Sequence, residues 1–180
     1  MDYKIIDNFL PEDEFTELKD LMLGPWIEWA YNSFVAMPDS ELRNDPYDFQ
    51  FTHTFYYKGE PRSQWMTPID PILQKINPSA IVRIKANLQP RTEKIITHQY
   101  HLDHNNFDGK TAIFYVNTNN GYTIFEDGTK IDSVENRLVV FNSDILHTGT
   151  TCTDQKVRCL INFMFYQWTN ATLLNDNQEK

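Results

Sequence analysis

The chain has 180 residues, with 16 lysines and arginines against 25 aspartates and glutamates, for a formal net charge of −9. That length fits one domain of ordinary size. The acidic balance lacks the basic footprint of proteins that bind phosphate backbones or anionic lipid, so nucleic acid and membrane are poor candidates as partners.

The low cysteine content and the N-terminal residues both favour a cytoplasmic location. Cys152 and Cys159 are the two cysteines, too few for a disulfide scaffold, and they are expected to be reduced packing residues. The start of the chain lacks the basic residues and apolar block of a signal peptide, and no apolar run is long enough to span a membrane. We therefore expect a soluble cytoplasmic protein, whose oligomeric state the sequence does not predict.

The first third of the chain predicts a helix and a strand. Residues 11–22 form the helix, with proline at its first position, acidic residues in its first turn and an apolar face of Phe15, Leu18 and Met22. Residues 49–57 form the strand, because aromatic side chains and His53 alternate there with a period of two.

The next two elements are a broken helix and a strand with one polar face. Residues 65–76 have apolar side chains at helical spacing, but Pro68 and Pro71 confine the helix to the second half. In the strand 81–88, Arg83, Lys85 and Asn87 share one face. This polar face either lines a wet cavity or is a solvent-exposed edge, and the segment alone does not decide between them.

From residue 111 onward the chain predicts short strands separated by turns, at 111–116, 122–126, 130–134, 138–142, 147–149 and 157–168. Helices precede this series and none interrupts it. The predicted fold is therefore mainly β with flanking helices, an antiparallel jelly roll. We expect a single domain over 1–180, with helices and supporting strands in 1–80 and the jelly-roll core in 81–168.

Residues 97–108 hold three of the five histidines and two carboxylates. If the segment begins as a strand, His101 and Asp103 lie on one face, and His147, after the apolar run 138–141, is the leading third partner. Two histidines and one carboxylate with open positions opposite are typical of non-haem Fe(II) oxygenases. Taken alone, a His-x-Asp pair is more often incidental at the surface than part of a metal site.

Arg158 adds a second signal. It lies early in an apolar strand, where an unpaired guanidinium is costly, so an inward-pointing side chain needs an anion. The carboxylate of a dicarboxylate cosubstrate matches the guanidinium fork.

In this order the residues resemble the catalytic domain of prolyl-4-hydroxylase-like 2-oxoglutarate/Fe(II) dioxygenases. The resemblance spans residues 81–166 and rests on the ordered motifs His101-Leu102-Asp103, Phe114-Tyr115-Val116-Asn117, Gly121-Tyr122-Thr123-Ile124-Phe125, Leu138-Val139-Val140-Phe141, His147-Thr148-Gly149 and Arg158. It implies a double-stranded β-helix with Fe(II) held by His101, Asp103 and His147. It also implies that Arg158 pairs with the distal carboxylate of 2-oxoglutarate, with Tyr115 as a further hydrogen-bond partner of that carboxylate.

The chain departs from the family pattern at three places. Asn120-Gly121-Tyr122-Thr123 replaces the usual Gly-Gly-Glu-Thr, and Val134-Glu135-Asn136-Arg137 replaces Pro-x-x-Gly. The tyrosine often found shortly before His-x-Asp is missing, and Asn87 or Tyr100 are the candidates for its contact with the cosubstrate. These departures put the substrate in doubt more than the chemistry.

The resemblance implies hydroxylation of a peptidyl, including prolyl, or free amino-acid-type substrate, with O2 consumed, succinate and CO2 released, and ascorbate as a candidate reductant. One alternative is a metal-binding cupin-like jelly roll without oxygenase activity, which leaves an inward Arg158 unexplained. The other is a nucleic-acid demethylase with the same triad, but such enzymes usually carry a second arginine six residues after the first, where this chain has Met164.

The remaining histidines have simpler interpretations. His98 follows an apolar lead-in that favours a strand, so we expect it in or behind the pocket rather than on the metal. His104 is expected to be exposed, and His53 to be packed or at the surface. Residues 105–108 are expected to form a turn at the mouth of the site.

Overall fold

The structure is a computed structural model that describes residues 2–36, 46–103 and 107–167. Its helices are α1 (Glu12–Leu23) and α2 (Asp70–Ile76), the latter entered through a 3-10 turn at Thr67–Ile69. Its strands are β1 (Tyr3–Ile6), β2 (Ala30–Asn32), β3 (Gln50–Tyr57), β4 (Glu60–Pro61), β5 (Ala80–Pro90), β6 (Lys110–Tyr115), β7 (Tyr122–Phe125), β8 (Lys130–Asp132), β9 (Arg137–Asn142), β10 (His147–Gly149) and β11 (Val157–Tyr166).

Two antiparallel sheets form the core of the molecule. The larger sheet has the order β1-β9-β6-β11-β5-β3-β2, with β4 paired to β3, and the smaller sheet has the order β10-β7-β8. The predicted mainly β jelly roll with flanking helices is confirmed. The strands at 111–116, 122–126, 130–134 and 138–142 were each placed to within two residues.

The larger sheet buries apolar side chains on both faces. One face packs against the two helices, which contribute Phe15, Leu18, Met22, Ile72 and Ile76 to the same cluster as Ile84 and Phe114. The other face packs against the smaller sheet through Ile113, Tyr115, Phe125, Ile131, Val139, Phe141 and Leu160. The alternation of strand side chains therefore directs one set toward the helices and the other toward the space between the sheets.

The N-terminal segment is joined to the core by one residue in a turn. Asn136 has a left-handed backbone, with φ of 57°. Its side-chain amide donates to the carbonyl of Leu10 at 2.9 Å, and its side-chain oxygen accepts from the Leu10 N–H at 2.8 Å. Since β1 pairs with β9 directly after this turn, Asn136 holds the connection between β1 and α1 against the sheet.

One local prediction is wrong. The segment that carries His101 and Asp103 is not a regular strand, because it makes only isolated bridges, Thr97 to Thr150 and His101 to His147.

His104 and residues 105 and 106 lie outside the described residues, as does the end of the predicted strand 157–168. Within the described ranges, neither helix has the length and apolar character needed to cross a bilayer.

Candidate metal and cosubstrate site

The structure brings His101, Asp103 and His147 together between the two sheets. One potential ligand atom from each side chain lies within 4.8 Å of the other two, and the Nε2 of His147 is 3.6 Å from Oδ2 of Asp103. The two histidines are also joined through their backbones, since each N–H donates to the other's carbonyl, at 2.9 Å from His101 and 3.2 Å from His147. A cluster of this composition can hold a divalent metal ion.

Both imidazoles are oriented by backbone carbonyls. The Nδ1 of His101 lies 3.2 Å from the carbonyl of Gln99, and the Nδ1 of His147 lies 3.0 Å from the carbonyl of Ile145. A proton on each Nδ1 satisfies these carbonyls and leaves Nε2 with the lone pair that a metal requires. Burial, together with the neighbouring His147, lowers the pKa of His101, which favours the neutral ring.

Asp103 is held by two polar side chains from the larger sheet. Arg83 on β5 donates from Nη2 to Oδ1 at 2.6 Å, and Asn162 on β11 donates from Nδ2 to Oδ2 at 2.8 Å. Burial by itself raises the pKa of Asp103, but Arg83 and the two imidazoles outweigh it and hold the pKa well below its usual range. The carboxylate is therefore ionised and fixed in orientation.

Arg158 lies deep in the same region and is 2% exposed. Its Nε donates to the hydroxyl of Ser133 at 2.9 Å, its Nη2 to the hydroxyl of Thr123 at 3.2 Å and its Nη1 to the side-chain oxygen of Gln89 at 3.4 Å. These partners are neutral, and among the described residues no carboxylate lies within 4 Å of this guanidinium. Burial accordingly lowers the pKa of Arg158.

Tyr115 completes this group from β6. Its hydroxyl donates to the Thr123 hydroxyl at 2.8 Å, and its ring centroid lies 5.8 Å from Cζ of Arg158. Burial raises the pKa of Tyr115, so the phenol stays protonated and remains a donor. Arg158 and Tyr115 therefore converge on one hydroxyl, and both can turn to a carboxylate that binds beside it.

Two glycines allow the side chain of Arg158 to pack closely against the backbone. A Cβ at Gly149 would lie 3.2 Å from Nη1 of Arg158, and a Cβ at Gly121 would lie 2.7 Å from its Cδ. A buried cation that lines a pocket and has neutral partners and a nearby phenol donor fits the carboxylate of a dicarboxylate cosubstrate. The residues present are thus compatible with both groups that the sequence suggested.

A single pocket of about 490 Å³ of empty space, including its open mouth, contains the triad and Arg158. Lys85, Asn87 and Gln89 of β5 also line it, so the polar face of the predicted strand 81–88 lines a cavity. Tyr100 is not among the lining residues and is 41% exposed. Of the two candidates for the missing tyrosine's position, Asn87 is therefore the one in the pocket.

Several polar residues of the site were not identified from the sequence. They are Gln89, Thr123, Ser133 and Asn162. Gln89 continues the alternation of Lys85 and Asn87, and it lies one residue beyond the end of the predicted strand 81–88. Short neutral side chains such as those of Thr123 and Ser133 carry no comparable signal, because hydroxyl residues are common in strands and turns alike.

His53, His98 and the two cysteines are not among the residues that line this pocket. His53 is buried and bonded to the Glu28 carbonyl at 2.7 Å and the Ser63 hydroxyl at 2.8 Å, so it is a packed residue. His98 is buried with Nδ1 3.9 Å from Oδ1 of Asp48. Cys152 and Cys159 are buried free thiols.

Comparison with solved structures shows the fold. A prolyl-4-hydroxylase from Pseudomonas putida is 16% identical with a TM-score of 0.57, covering 92% of each chain. A prolyl hydroxylase from Trichoplax adhaerens, in complex with a peptide of a hypoxia inducible factor, is 18% identical with a TM-score of 0.59, covering 92% of this chain and 83% of that one. A 2OG-Fe(II) oxygenase family oxidoreductase from Burkholderia pseudomallei is 11% identical with a TM-score of 0.64, covering 91% and 84%.

At these identities the likeness establishes a double-stranded β-helix and leaves the reaction open. The matched structures also include a non-haem α-ketoglutarate-dependent epimerase of nogalamycin biosynthesis. No family model matches the chain, and no curated protein matches it. Its function therefore has to be argued from the site.

Proposed function

We propose that this chain is a 2-oxoglutarate- and Fe(II)-dependent oxygenase that hydroxylates a peptidyl, including prolyl, or free amino-acid-type substrate. The observation that carries the proposal is that a buried Arg158, with neutral partners only, shares one pocket with His101, Asp103 and His147. A buried cation without an anionic partner destabilises the folded protein. Binding of an anionic ligand would explain why Arg158 lies there.

Each residue of the site has a definite task in such an enzyme. His101, Asp103 and His147 would hold Fe(II), with both imidazoles fixed by carbonyls and the carboxylate fixed by Arg83 and Asn162. When bound, Fe(II), 2-oxoglutarate and O2 supply the oxidative chemistry, releasing succinate and CO2.

Arg158 would bind the distal carboxylate of the cosubstrate through its guanidinium fork. Tyr115, already bonded to Thr123 beside it, would donate to the same carboxylate. The low dielectric of this buried region strengthens both interactions, since little water competes for the carboxylate. The distal end of the cosubstrate would thus be anchored by Arg158 and Tyr115, which leaves its other end to bind at the triad in the same pocket.

The alternatives explain less of the site. A cupin-like metal binder without oxygenase activity needs the triad but leaves Arg158 and Tyr115 without a purpose. For a nucleic-acid demethylase, the position six residues after Arg158 is the buried Met164, and the net charge of −9 opposes binding to phosphate backbones. Three of the matched structures are named as prolyl hydroxylases, which supports hydroxylation as the proposed reaction.

An anaerobic titration tests the proposal. Adding Fe(II) and then 2-oxoglutarate to the folded protein should produce a metal-to-ligand charge-transfer band, and admitting O2 should release succinate. A His147→Ala variant, which keeps Arg158 but loses one ligand, should show neither signal. A folded wild-type protein that binds Fe(II) without developing the band would contradict the proposal.

A further inference from the structure

Lys85 is a second cation in the pocket, and the proposed binding of the distal carboxylate by Arg158 and Tyr115 does not use it. It lies in the middle of β5, opposite Asn162 on β11 and Thr54 on β3. Its side chain lines the same pocket as the triad. The flanking residues Ile84 and Ala86 point to the opposite face of the sheet and belong to the apolar core. Lys85 therefore lies on the face of β5 that is directed toward the pocket.

Lys85 has no anionic partner of its own. Among the described residues no carboxylate lies within 4 Å of its ammonium group, and the nearby carboxylate of Asp103 is already bonded by Arg83 and Asn162. Burial, reinforced by the charge of Arg83, lowers the pKa of Lys85 to about 8, even though Asp103 acts in the opposite direction. An anion bound beside the ammonium group would remove this destabilisation of its charged form.

Lys85 and Arg158 mark different ends of the pocket. Arg158 pairs across the sheet with Gln89 of β5, whereas Lys85 pairs with Asn162, which contacts the triad. Four residues separate Lys85 from Gln89, which corresponds to about 13 Å along a strand. The two cations therefore enter the pocket at different positions along β5, Arg158 beside Gln89 and Lys85 beside Asn162 and the triad.

Asn87 lies between these two ends and has an unmet requirement. Its side-chain oxygen is buried without a hydrogen-bond partner. That atom accepts hydrogen bonds only, so a ligand carboxylate cannot satisfy it, whereas an N–H or O–H group can. The sequence suggested Asn87 as a contact of the cosubstrate, but 2-oxoglutarate has no donor for this oxygen.

We propose that Lys85 binds a free carboxylate of the substrate and that Asn87 accepts a hydrogen bond from an amino or hydroxyl group of the same molecule. This combination describes a free α-amino acid or 2-hydroxy acid, and not a residue inside a peptide chain. The inference rests on the proposed function, since it names the substrate class of the same site.

The test uses ligand binding rather than turnover. The probes are a pool of free L-amino acids and the matching pool of L-amino-acid amides, added to protein saturated with 2-oxoglutarate and redox-inert Mn(II). The free-acid pool should raise the thermal unfolding temperature of the wild type, and the amide pool should not. Lys85→Met should weaken the response to free acids about tenfold or more, as expected for a charge-assisted bond, while leaving 2-oxoglutarate affinity unchanged.

Two further variants keep the test decisive. Lys85→Arg restores a positive charge and should recover part of the response. Lys94→Met removes a lysine at an exposed position and should behave as wild type. Equal responses to acids and amides, or no response to either pool, would overturn the assignment. It would also be overturned if Lys85→Met weakened 2-oxoglutarate binding as much as loss of Arg158, because Lys85 would then serve the cosubstrate.

The free-acid arm is repeated on protein without metal or cosubstrate, where Lys85 and Asn87 are still in place. A wild type that fails the Fe(II) and 2-oxoglutarate titration but responds to free acids would overturn the oxygenase proposal and leave the carboxylate site standing. The opposite result would overturn the carboxylate site alone.

Discussion

Arg83 donates a 2.6 Å hydrogen bond to Asp103, so a regular central strand fixes a carboxylate that sits on an irregular segment. The irregular segment has few ladder bonds of its own, beyond the bridges at Thr97 and His101. The position of this metal-ligand candidate is therefore set by β5 and β11 rather than by its own backbone.

Replacing Arg83 should destabilise the metal-free protein. Arg83→Met leaves a buried carboxylate without its ion pair, at a cost of about 3 kcal/mol in the free energy of unfolding at neutral pH. The pair stabilises the fold above the unfolded carboxyl's pKa of about 3.9, because the pKa of Asp103 is lowered in the folded state. The loss is measured by urea unfolding in the presence of a chelator.

The stability difference between Arg83→Met and the wild type should depend on pH. Without Arg83 the effect of burial is opposed less strongly, so the pKa of Asp103 is higher in the variant than in the wild type, and the variant takes up a proton on acidification before the wild type does. The difference in stability should shrink as the pH falls through the pKa of Asp103 in the folded variant. Arg62→Met is the control, because Arg62 pairs with Glu60 at the surface, where such pairs contribute less than about 1 kcal/mol. Equal losses in both variants would contradict the structural role of Arg83.

Replacing Arg158 should weaken 2-oxoglutarate binding without lowering the stability of the protein. Arg158→Met removes a buried charge that has neutral partners only, so the metal-free protein should be as stable as the wild type or more stable. Its affinity for 2-oxoglutarate, followed through the anaerobic charge-transfer band, should fall about a hundredfold, as the loss of a charge-assisted pair predicts. Arg158→Lys should be intermediate, since an ammonium group lacks the fork. Unchanged affinity in Arg158→Met would contradict the proposed cosubstrate site.

Gly149 offers a gentler change at the same place. The Cβ of Gly149→Ala would lie 3.2 Å from Nη1 of Arg158, so the guanidinium must shift by a few tenths of an ångström. We expect 2-oxoglutarate affinity to fall several-fold while the free energy of unfolding changes by less than about 1 kcal/mol. Titration and urea unfolding of the same preparation measure both. A large loss of stability with normal affinity would show that the space serves packing instead.

Asn136 tests how the N-terminal segment is attached. Asn136→Gly keeps the left-handed backbone but removes both hydrogen bonds to Leu10, which should cost about 2 kcal/mol in unfolding free energy. Asn136→Ala should cost about 1 kcal/mol more, because a Cβ disfavours the left-handed region. Thermal or urea unfolding measures the order of the two variants, and the reverse order would contradict this account.

The sequence determined most of the fold because its signals are local. Short strands with alternating side chains, the turn residues between them and an acidic helix start each predict their own element, and the structure confirms them at β6, β7, β9 and α1. The pairing order of the strands is not local: the resemblance to a known family implied a double-stranded β-helix, and the order itself comes from the structure. The N-terminal strand β1, at the edge of the larger sheet beside β9, had no signal beyond a short apolar run.

The site divides in the same way. His101, Asp103, His147 and Arg158 could be singled out as candidates from the sequence. Residues 97–108 concentrate three histidines and two carboxylates, His147 follows an apolar run, and an unpaired arginine in an apolar strand is costly. The pairing of His101 with Asp103 was predicted from a strand, whereas in the structure an isolated bridge joins His101 to His147, and Arg83 and Asn162 hold Asp103.

Only the tertiary structure decided which neutral groups complete the site and which charges lack a partner. Gln89, Thr123 and Asn162 contact Arg158 or Asp103 from separate strands, and sequence spacing does not encode contacts between strands. The polar face of β5 was visible as a pattern, but whether it met water or a cavity depended on the sheet packed opposite. Whether Lys85 has an ionic partner likewise depends on which side chains the fold places beside it, and the sequence does not show these neighbours.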